Sequence, residues 1–254
     1  MATIDRVNFG FFDVGRSETD LGRASTLDDI ASEYAFSIGG ASSNINIGMF
    51  HLDRENNGDG DMRIFRDVNR NGRLDVNLGE PVVASNIRRN GVNESINVSL
   101  PSGHYIIGVV NNRADAPQGR FIFRLNMNRV ASGAPNGIAS REFEIGNISA
   151  DLTRRNQVSA NDTADNFAFS LDVGESLGIK IRELGNKRGE INARVVQDLN
   201  RNGLVDENEV VVRSTGSGNL DTISNISGAG DYILQVCQVK GNVKFEAAFD
   251  HSAA

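Results

Sequence analysis

One twelve-residue segment, residues 198–209, limits the possible folds of this chain more than any other: it reads Asp-Leu-Asn-Arg-Asn-Gly-Leu-Val-Asp-Glu-Asn-Glu. Positions 1, 3, 5, 9 and 12 carry side-chain oxygens, the sixth is glycine, and the seventh offers a backbone carbonyl. This is the ligand order of an EF-hand-type loop, which surrounds Ca²⁺ with oxygens from alternate residues. The predicted ligands are Asp198, Asn200, Asn202, Leu204, Asp206 and Glu209.

The sequence on either side of this loop differs from that of an EF-hand, in which two helices flank the ion. Residues 191–196 precede the loop and residues 210–213 follow it, and both stretches are short and rich in β-branched side chains. Such stretches favour strands over helices. The segment therefore predicts a hairpin whose long connection is stiffened by a calcium ion.

A second copy of the loop begins upstream, at residue 67. Its position 12 is Leu78, which cannot bind a metal, and the nearest carboxylate is Glu80, two residues later. Either the loop bulges to bring Glu80 round, or this site binds more weakly. For both loops the alternative is a plain turn, because Asn, Asp and Gly favour turns. We expect calcium in both, and the remaining predicted ligands of the upstream copy are Asp67, Asn69, Asn71, Arg73 and Asp75.

The rest of the chain also repeats in the same order. Residues 166–171 correspond to residues 33–38, and residues 232–234 correspond to residues 105–107. Each half contains about seven or eight short, alternating apolar runs in roughly 110–120 residues, separated by Asn, Asp and Gly clusters. One apolar face per strand predicts two sheets packed face to face. The predicted fold is therefore all-β, with two tandem jelly-roll-like antiparallel β-sandwich domains.

The repeat also sets the predicted domain boundaries, which are an N-terminal strand at 1–14, a first sandwich at 15–128, a linker at 129–140 and a second sandwich at 141–254. Residues 129–140 are small and include Gly and Pro, which predicts a linker or a long loop. The N-terminal strand is apolar over residues 4–12 and needs a sheet edge as its partner. It either pairs within its own domain or adds to a neighbouring subunit, and the second arrangement would link subunits into a filament.

Three motifs recur in order in both halves. They are Glu-Tyr-Ala-Phe-Ser-Ile or Asn-Phe-Ala-Phe-Ser-Leu, then Asp-x-Asn-x-Asn-Gly-x-x-Asp, then Gly-His-Tyr-Ile-Ile or Gly-Asp-Tyr-Ile-Leu. Together they make each half resemble the bacterial pre-peptidase C-terminal (PPC) domain. The resemblance implies a jelly-roll-like sandwich on a secreted bacterial protein, often beside a peptidase, with calcium or collagen bound in some relatives. The chain departs from that setting because it has no peptidase domain.

Composition and motifs argue against several classes of function. The net charge of −7 disfavours a nucleic-acid partner, and no apolar run reaches membrane-spanning length. The single cysteine, Cys237, rules out an internal disulfide. None of the three histidines lies in a His-Glu-x-x-His pattern, and the Ser-Gly pairs lack the Gly-x-Ser-x-Gly context. The sequence therefore predicts no catalytic site.

The functional prediction follows from the calcium loops and the missing catalytic motifs. We expect a non-catalytic, calcium-binding structural protein, such as a self-assembling subunit of a matrix, surface layer or filament. The expected location is outside the cell, because cytosolic calcium is too low to fill a weak site. No recognisable signal peptide begins the sequence. The alternative is an accessory module that binds a glycan or protein beside a separate enzyme, although the absence of Trp and the three Tyr offer little for glycan stacking.

Overall fold

The computed structural model describes residues 4–24, 30–52, 60–75, 78–87, 93–111, 121–185, 189–214 and 218–253. Strands account for most of these residues, which confirms the predicted all-β fold. The chain divides into two compact units. Unit 1 comprises residues 1–96 and 100–131, and unit 2 comprises residues 97–99 and 132–254. Within the described ranges, the structure contains no helix with the length and apolar character needed to cross a membrane.

The first nine strands form one five-stranded and one four-stranded sheet. The larger sheet has the order β1-β3-β8-β5-β6, and the smaller has the order β2-β9-β4-β7. The strands are β1 (Asp5–Phe11), β2 (Ser17–Ala24), β3 (Ile30–Ile38), β4 (Ser43–His51), β5 (Gly60–Arg66), β6 (Val82–Asn86), β7 (Glu94–Leu100), β8 (Gly103–Asn111) and β9 (Phe121–Ala131).

The next nine strands repeat this arrangement strand for strand. Their sheets have the orders β10-β12-β17-β14-β15 and β11-β18-β13-β16. The strands are β10 (Phe143–Asn147), β11 (Leu152–Val158), β12 (Ala164–Leu171), β13 (Glu175–Leu184), β14 (Glu190–Val196), β15 (Val210–Ser214), β16 (Leu220–Ser227), β17 (Gly230–Lys240) and β18 (Val243–Ala253).

The core of unit 2 lies between its two sheets, as the alternating apolar pattern requires. Phe167 and Phe169 point inward from β12, because side chains two residues apart share one face of a strand. Each meets a ring from β18 edge to face: Phe167 meets Phe245 with ring centroids 6.1 Å apart, and Phe169 meets Phe249 at 5.8 Å. These contacts join the five-stranded sheet to the four-stranded one, so unit 2 is a β-sandwich.

The first strand of the chain does not stand apart from the repeat, which corrects the prediction for residues 1–14. β1 pairs in parallel with β3 of its own unit, just as β10 pairs in parallel with β12. Both edge strands shift register at a glycine with positive φ, Gly10 or Gly146. In unit 2 the other neighbouring strands in both sheets pair antiparallel. β1 therefore pairs within its own unit, the first of the two arrangements that the sequence left open, and its addition to a neighbouring subunit stays an untested prediction.

Residues 129–140, predicted as a linker or long loop, contain the boundary between the two units, and their C-terminal part is buried. β9 continues through residue 131, and the residues after it are packed. Asn136, Ile138, Ala139 and Ser140 are each no more than 2% exposed. A segment with this much buried surface is part of the folded unit, because burial of its backbone requires specific hydrogen-bond partners.

Candidate metal centres

The second predicted calcium loop connects β14 to β15, which pair in an antiparallel hairpin. Its backbone turns at Arg201 and Gly203, whose φ angles of 57° and 74° lie in the left-handed region. Glycine adopts that region without steric cost, which explains its presence at the sharp turn of the loop. A single 3₁₀ turn, Glu207–Glu209, then leads into β15.

Side-chain oxygens at positions 1, 3 and 5 of this loop all accept backbone N–H groups from the following turn. Asp198 Oδ2 accepts from Gly203 N at 3.0 Å. Asn200 Oδ1 accepts from Asn202 N at 2.9 Å, and Asn202 Oδ1 accepts from Leu204 N at 2.7 Å. Such local bonds are typical of Asx turns. They hold the three oxygens on the inner side of the loop.

Glu209 closes the loop at position 12. Its side chain is almost fully buried, at 2% exposure. Oε1 accepts from Leu199 N at 2.9 Å and from Asn200 N at 3.3 Å, while Oε2 accepts from Asp206 N at 3.0 Å. Asp206 Oδ2 in turn accepts from Asn200 Nδ2 at 2.9 Å. The structure thus brings the carboxylates of positions 9 and 12 to the same loop interior as position 3.

The first loop has the same turn between β5 and β6. Asp67 Oδ2 accepts from Gly72 N at 2.9 Å, as Asp198 does from Gly203. Asn69 Oδ1 accepts from Asn71 N at 3.0 Å. Asp75 Oδ2 accepts from the amides of Asn69 and Asn71 at 2.6 and 2.7 Å. Residues 76–77 lie outside the described part of the chain. The five predicted ligands from position 1 to position 9 therefore come together here too.

Glu80 occupies in the first loop the place that Glu209 has in the second. Its Oε1 accepts from Val68 N at 3.1 Å, and its Oε2 accepts from Asp75 N at 3.0 Å. These are the N–H groups of positions 2 and 9, which Glu209 also binds in the second loop. Leu78, at the formal twelfth position, is 67% exposed and points away. The Glu80 carboxylate is thus brought to the loop, which is the first of the two alternatives that the sequence left open.

The donor set of each loop fits a hard divalent cation. Each offers three carboxylates, two amide oxygens and one backbone carbonyl, and it offers no sulfur or nitrogen ligand. Ca²⁺ takes six to eight such oxygens, and three negative charges more than balance its own. The loops differ at position 7, which is Arg73 in the first loop and Leu204 in the second. Only the backbone carbonyl of position 7 is a predicted ligand, so this difference leaves the donor set unchanged.

A third group of acidic side chains was missed by the sequence reasoning. Oxygens of Glu142, Asp162 and Asp165 lie within 4.8 Å of one another, so the group could hold a metal ion, though nothing in it selects calcium. Glu142 Oε2 accepts from Asn166 N at 3.3 Å, and Asp165 Oδ1 accepts from Asn156 Nδ2 at 3.0 Å.

These three carboxylates converge because β10 and β12 run in parallel, so both strands begin at the same end of the sheet. Glu142 precedes the first of these strands, while Asp162 and Asp165 lie at the start of the second. An acid placed before each of two strands was the available signal. This signal predicts a cluster of carboxylates only if the two strands are known to run in parallel.

The thiol of Cys237 has the surroundings of a structural residue. It is 3% exposed, and Asn136 N donates to its Sγ at 3.5 Å. Burial raises its pKa, which disfavours the thiolate that a nucleophile requires.

Comparison with known proteins gives no family assignment. No protein-family profile and no curated protein matches the sequence. Among solved structures, the pre-peptidase C-terminal domain of a Bacillus anthracis collagenase is 15% identical and has a TM-score of 0.33, covering 43% of this chain and 93% of that one. A periplasmic inhibitor of g-type lysozyme from Aeromonas hydrophila is 14% identical, with a TM-score of 0.30 and coverage of 50% and 99%. A turret protein of Sulfolobus turreted icosahedral virus is 10% identical, with a TM-score of 0.27 and coverage of 95% and 100%. The PPC resemblance of each half therefore stays a prediction from its motifs.

Proposed function

We propose that this protein is a non-catalytic calcium-binding protein in which one Ca²⁺ binds each of the two hairpin loops. In the second loop the ligands are Asp198, Asn200, Asn202, the Leu204 carbonyl, Asp206 and Glu209. In the first they are Asp67, Asn69, Asn71, the Arg73 carbonyl, Asp75 and Glu80. The ion adds a positive charge beside the N–H groups that already face the carboxylates, and it links the two strands of each hairpin.

One observation carries the proposal: Glu80 and Glu209 accept the same pair of backbone N–H groups despite their different spacing in sequence. A plain turn needs no carboxylate at this place, and a two-residue insertion would ordinarily displace it. Retention of the carboxylate at the same location in both copies supports a ligand role over a turn. Glu80 is 7% exposed, so its charge is costly without a positive partner.

The wider role that we propose is structural and extracellular. Dissociation constants of loops of this type range from nanomolar to millimolar, and only calcium outside the cell fills sites at the weaker end of that range. The proposed result is a pair of sandwiches stiffened by calcium in a matrix, surface layer or filament. Self-association of the chain is part of this proposal.

The alternative proposal is an accessory module that binds another molecule beside a separate enzyme. All three tyrosines are buried: Tyr34 is 0%, Tyr105 is 1% and Tyr232 is 3% exposed. With no tryptophan in the sequence, a platform for stacking sugars would lack its usual side chains. A protein surface therefore fits this alternative better than a glycan.

Calorimetric titration of the purified chain with Ca²⁺ and with Mg²⁺ tests the proposal. We expect two calcium-binding events, with Mg²⁺ much weaker because it demands a tighter octahedral shell. Light scattering and electron microscopy of the same samples, with calcium and with a chelator, separate the wider roles. A structural subunit should polymerise, whereas an accessory module should stay monomeric. The absence of any calcium-binding heat would leave both loops as plain turns and remove the proposal.

A further inference from the structure

The second calcium loop makes a backbone contact with residues 136–139, which belong to the same unit. Ala139 N donates to Gly203 O at 2.9 Å, and Val205 N donates to Gly137 O at 3.0 Å. Together they form an antiparallel bridge between Ile138 and Leu204. The segment predicted as a linker therefore acts as a short extra strand along positions 6 to 8 of the loop.

This bridge sets the direction of the Leu204 carbonyl. In an antiparallel pair, only alternate residues bond to the partner strand, and those between them direct their backbone groups to the other side. Gly203 and Val205 bond to residues 136–139, so Leu204 directs its own N–H and C=O away from them. Its N–H donates to Asn202 Oδ1, a predicted ligand atom at position 5. The carbonyl of position 7 thus faces the loop interior.

Residues 136–139 are themselves held in place by two buried side chains of the five-stranded sheet. Gln235 Nε2, on β17, donates to Ile138 O at 2.8 Å. Arg194, on β14, donates from Nη2 to Asn136 O and from Nε to Gln235 Oε1. Neither side chain is more than 9% exposed. The segment is therefore anchored to the sheet on one side and bonded to the loop on the other.

An apolar cluster couples the same parts of the unit. Its buried members include Ala139, Val196 and Ile233, and Val205 and Val210 from the loop and β15 pack against them. Displacing residues 136–139 would expose this cluster and break two backbone hydrogen bonds at once.

We propose that residues 136–139 act as a positioning segment for the second calcium site, holding the Leu204 carbonyl as a preformed ligand. The inference rests on the proposed function, because it assumes that this loop binds calcium. Binding and docking are then linked: calcium stabilises the docked segment by the same factor by which docking raises calcium affinity. A change that detaches the segment would lower the calcium affinity of this site, and a change that holds the segment in place would raise it.

The test uses the full chain and a pair of variants at Ala139. Ala139→Pro removes the N–H that bonds to Gly203 O, while Ala139→Gly keeps it and serves as the matched control. Both are placed on Asp67→Ala, which removes the first site, and are titrated with Ca²⁺ by calorimetry. We expect Ala139→Pro to bind about tenfold more weakly than the control, as the loss of one backbone hydrogen bond predicts. The first site, measured on Asp198→Ala, should be unchanged by either variant.

Hydrogen exchange on the unaltered chain gives a second measurement that needs no foldable variant. Saturating calcium should slow exchange at the amides of Ala139 and Val205. Equal affinity of the two Ala139 variants, or exchange at these amides that calcium does not alter, would overturn the inference while leaving calcium binding intact. If the unaltered second loop binds no calcium at all, the proposed function falls together with it.

Discussion

Replacement of Glu80 by glutamine tests whether a carboxylate two residues late completes the first calcium loop. Glu80 accepts N–H groups from Val68 and Asp75 through its two oxygens, at 3.1 and 3.0 Å. Glutamine keeps one acceptor oxygen and sets an NH₂ group against the other N–H. The variant therefore loses one charge-assisted bond and leaves a buried donor without an acceptor.

The expected cost can be estimated for the calcium-free and the calcium-bound state. A hydrogen bond to a charged group contributes roughly 1.5–3 kcal/mol, so we take about 2 kcal/mol for the calcium-free protein. At roughly 4 °C per kcal/mol for a unit of this size, the melting temperature of unit 1 falls by about 8 °C. Calcium at 100 times its dissociation constant contributes about 2.7 kcal/mol more, and the variant loses most of that.

Differential scanning calorimetry with calcium and with a chelator measures both terms. Leu78→Ala is the matched control, because Leu78 holds the formal twelfth position but is 67% exposed. We expect the control to change stability by no more than about 0.5 kcal/mol and to keep its calcium response. The reasoning is refuted if Glu80→Gln melts like the unaltered protein in both conditions, or if Leu78→Ala loses the calcium response instead.

Three further outcomes are expected. Asp198→Ala should abolish the calcium-dependent rise in melting temperature of unit 2 and leave that of unit 1, since only the folded loop presents its ligands together; a preserved rise in unit 2 would count against the second site. Phe12→Ala should cost about 3–5 kcal/mol in urea unfolding because the ring is fully buried, while Phe11→Ala, 53% exposed, should cost little; similar costs would contradict the packing of residues 4–12 within unit 1. Burial lowers the pKa of His51 to about 4 from 6.5, so the stability of unit 1 should be full above pH 6.5 and fall by about 3 kcal/mol towards pH 4. His51→Gln should remove that part of the pH dependence, and an unchanged profile would show that His51 is not its source.

The sequence alone determined those features of this protein that depend on neighbouring residues. Alternating apolar side chains predict strands, because successive side chains in a strand point to opposite faces. The spacing from Asp198 to Glu209 predicts a ligand loop, because a ligand set of this kind is contained within one continuous segment. The order of both features, repeated along the chain, was enough to predict an all-β fold with two similar halves.

Tertiary structure alone decided the features that depend on which strands become neighbours. An alternating apolar pattern is the same in a parallel and in an antiparallel strand. It therefore could not predict that β1 pairs in parallel with β3, and β10 with β12. The convergence of Glu142 with Asp162 and Asp165 depends on that direction. Composition likewise marked residues 136–139 as a linker, since the side chains that anchor them, Arg194 and Gln235, lie far along the chain. The position of Glu80 at the place of Glu209 was one of two sequence alternatives, and only the folded loop distinguishes them, because the sequence does not show which N–H groups the Glu80 carboxylate accepts.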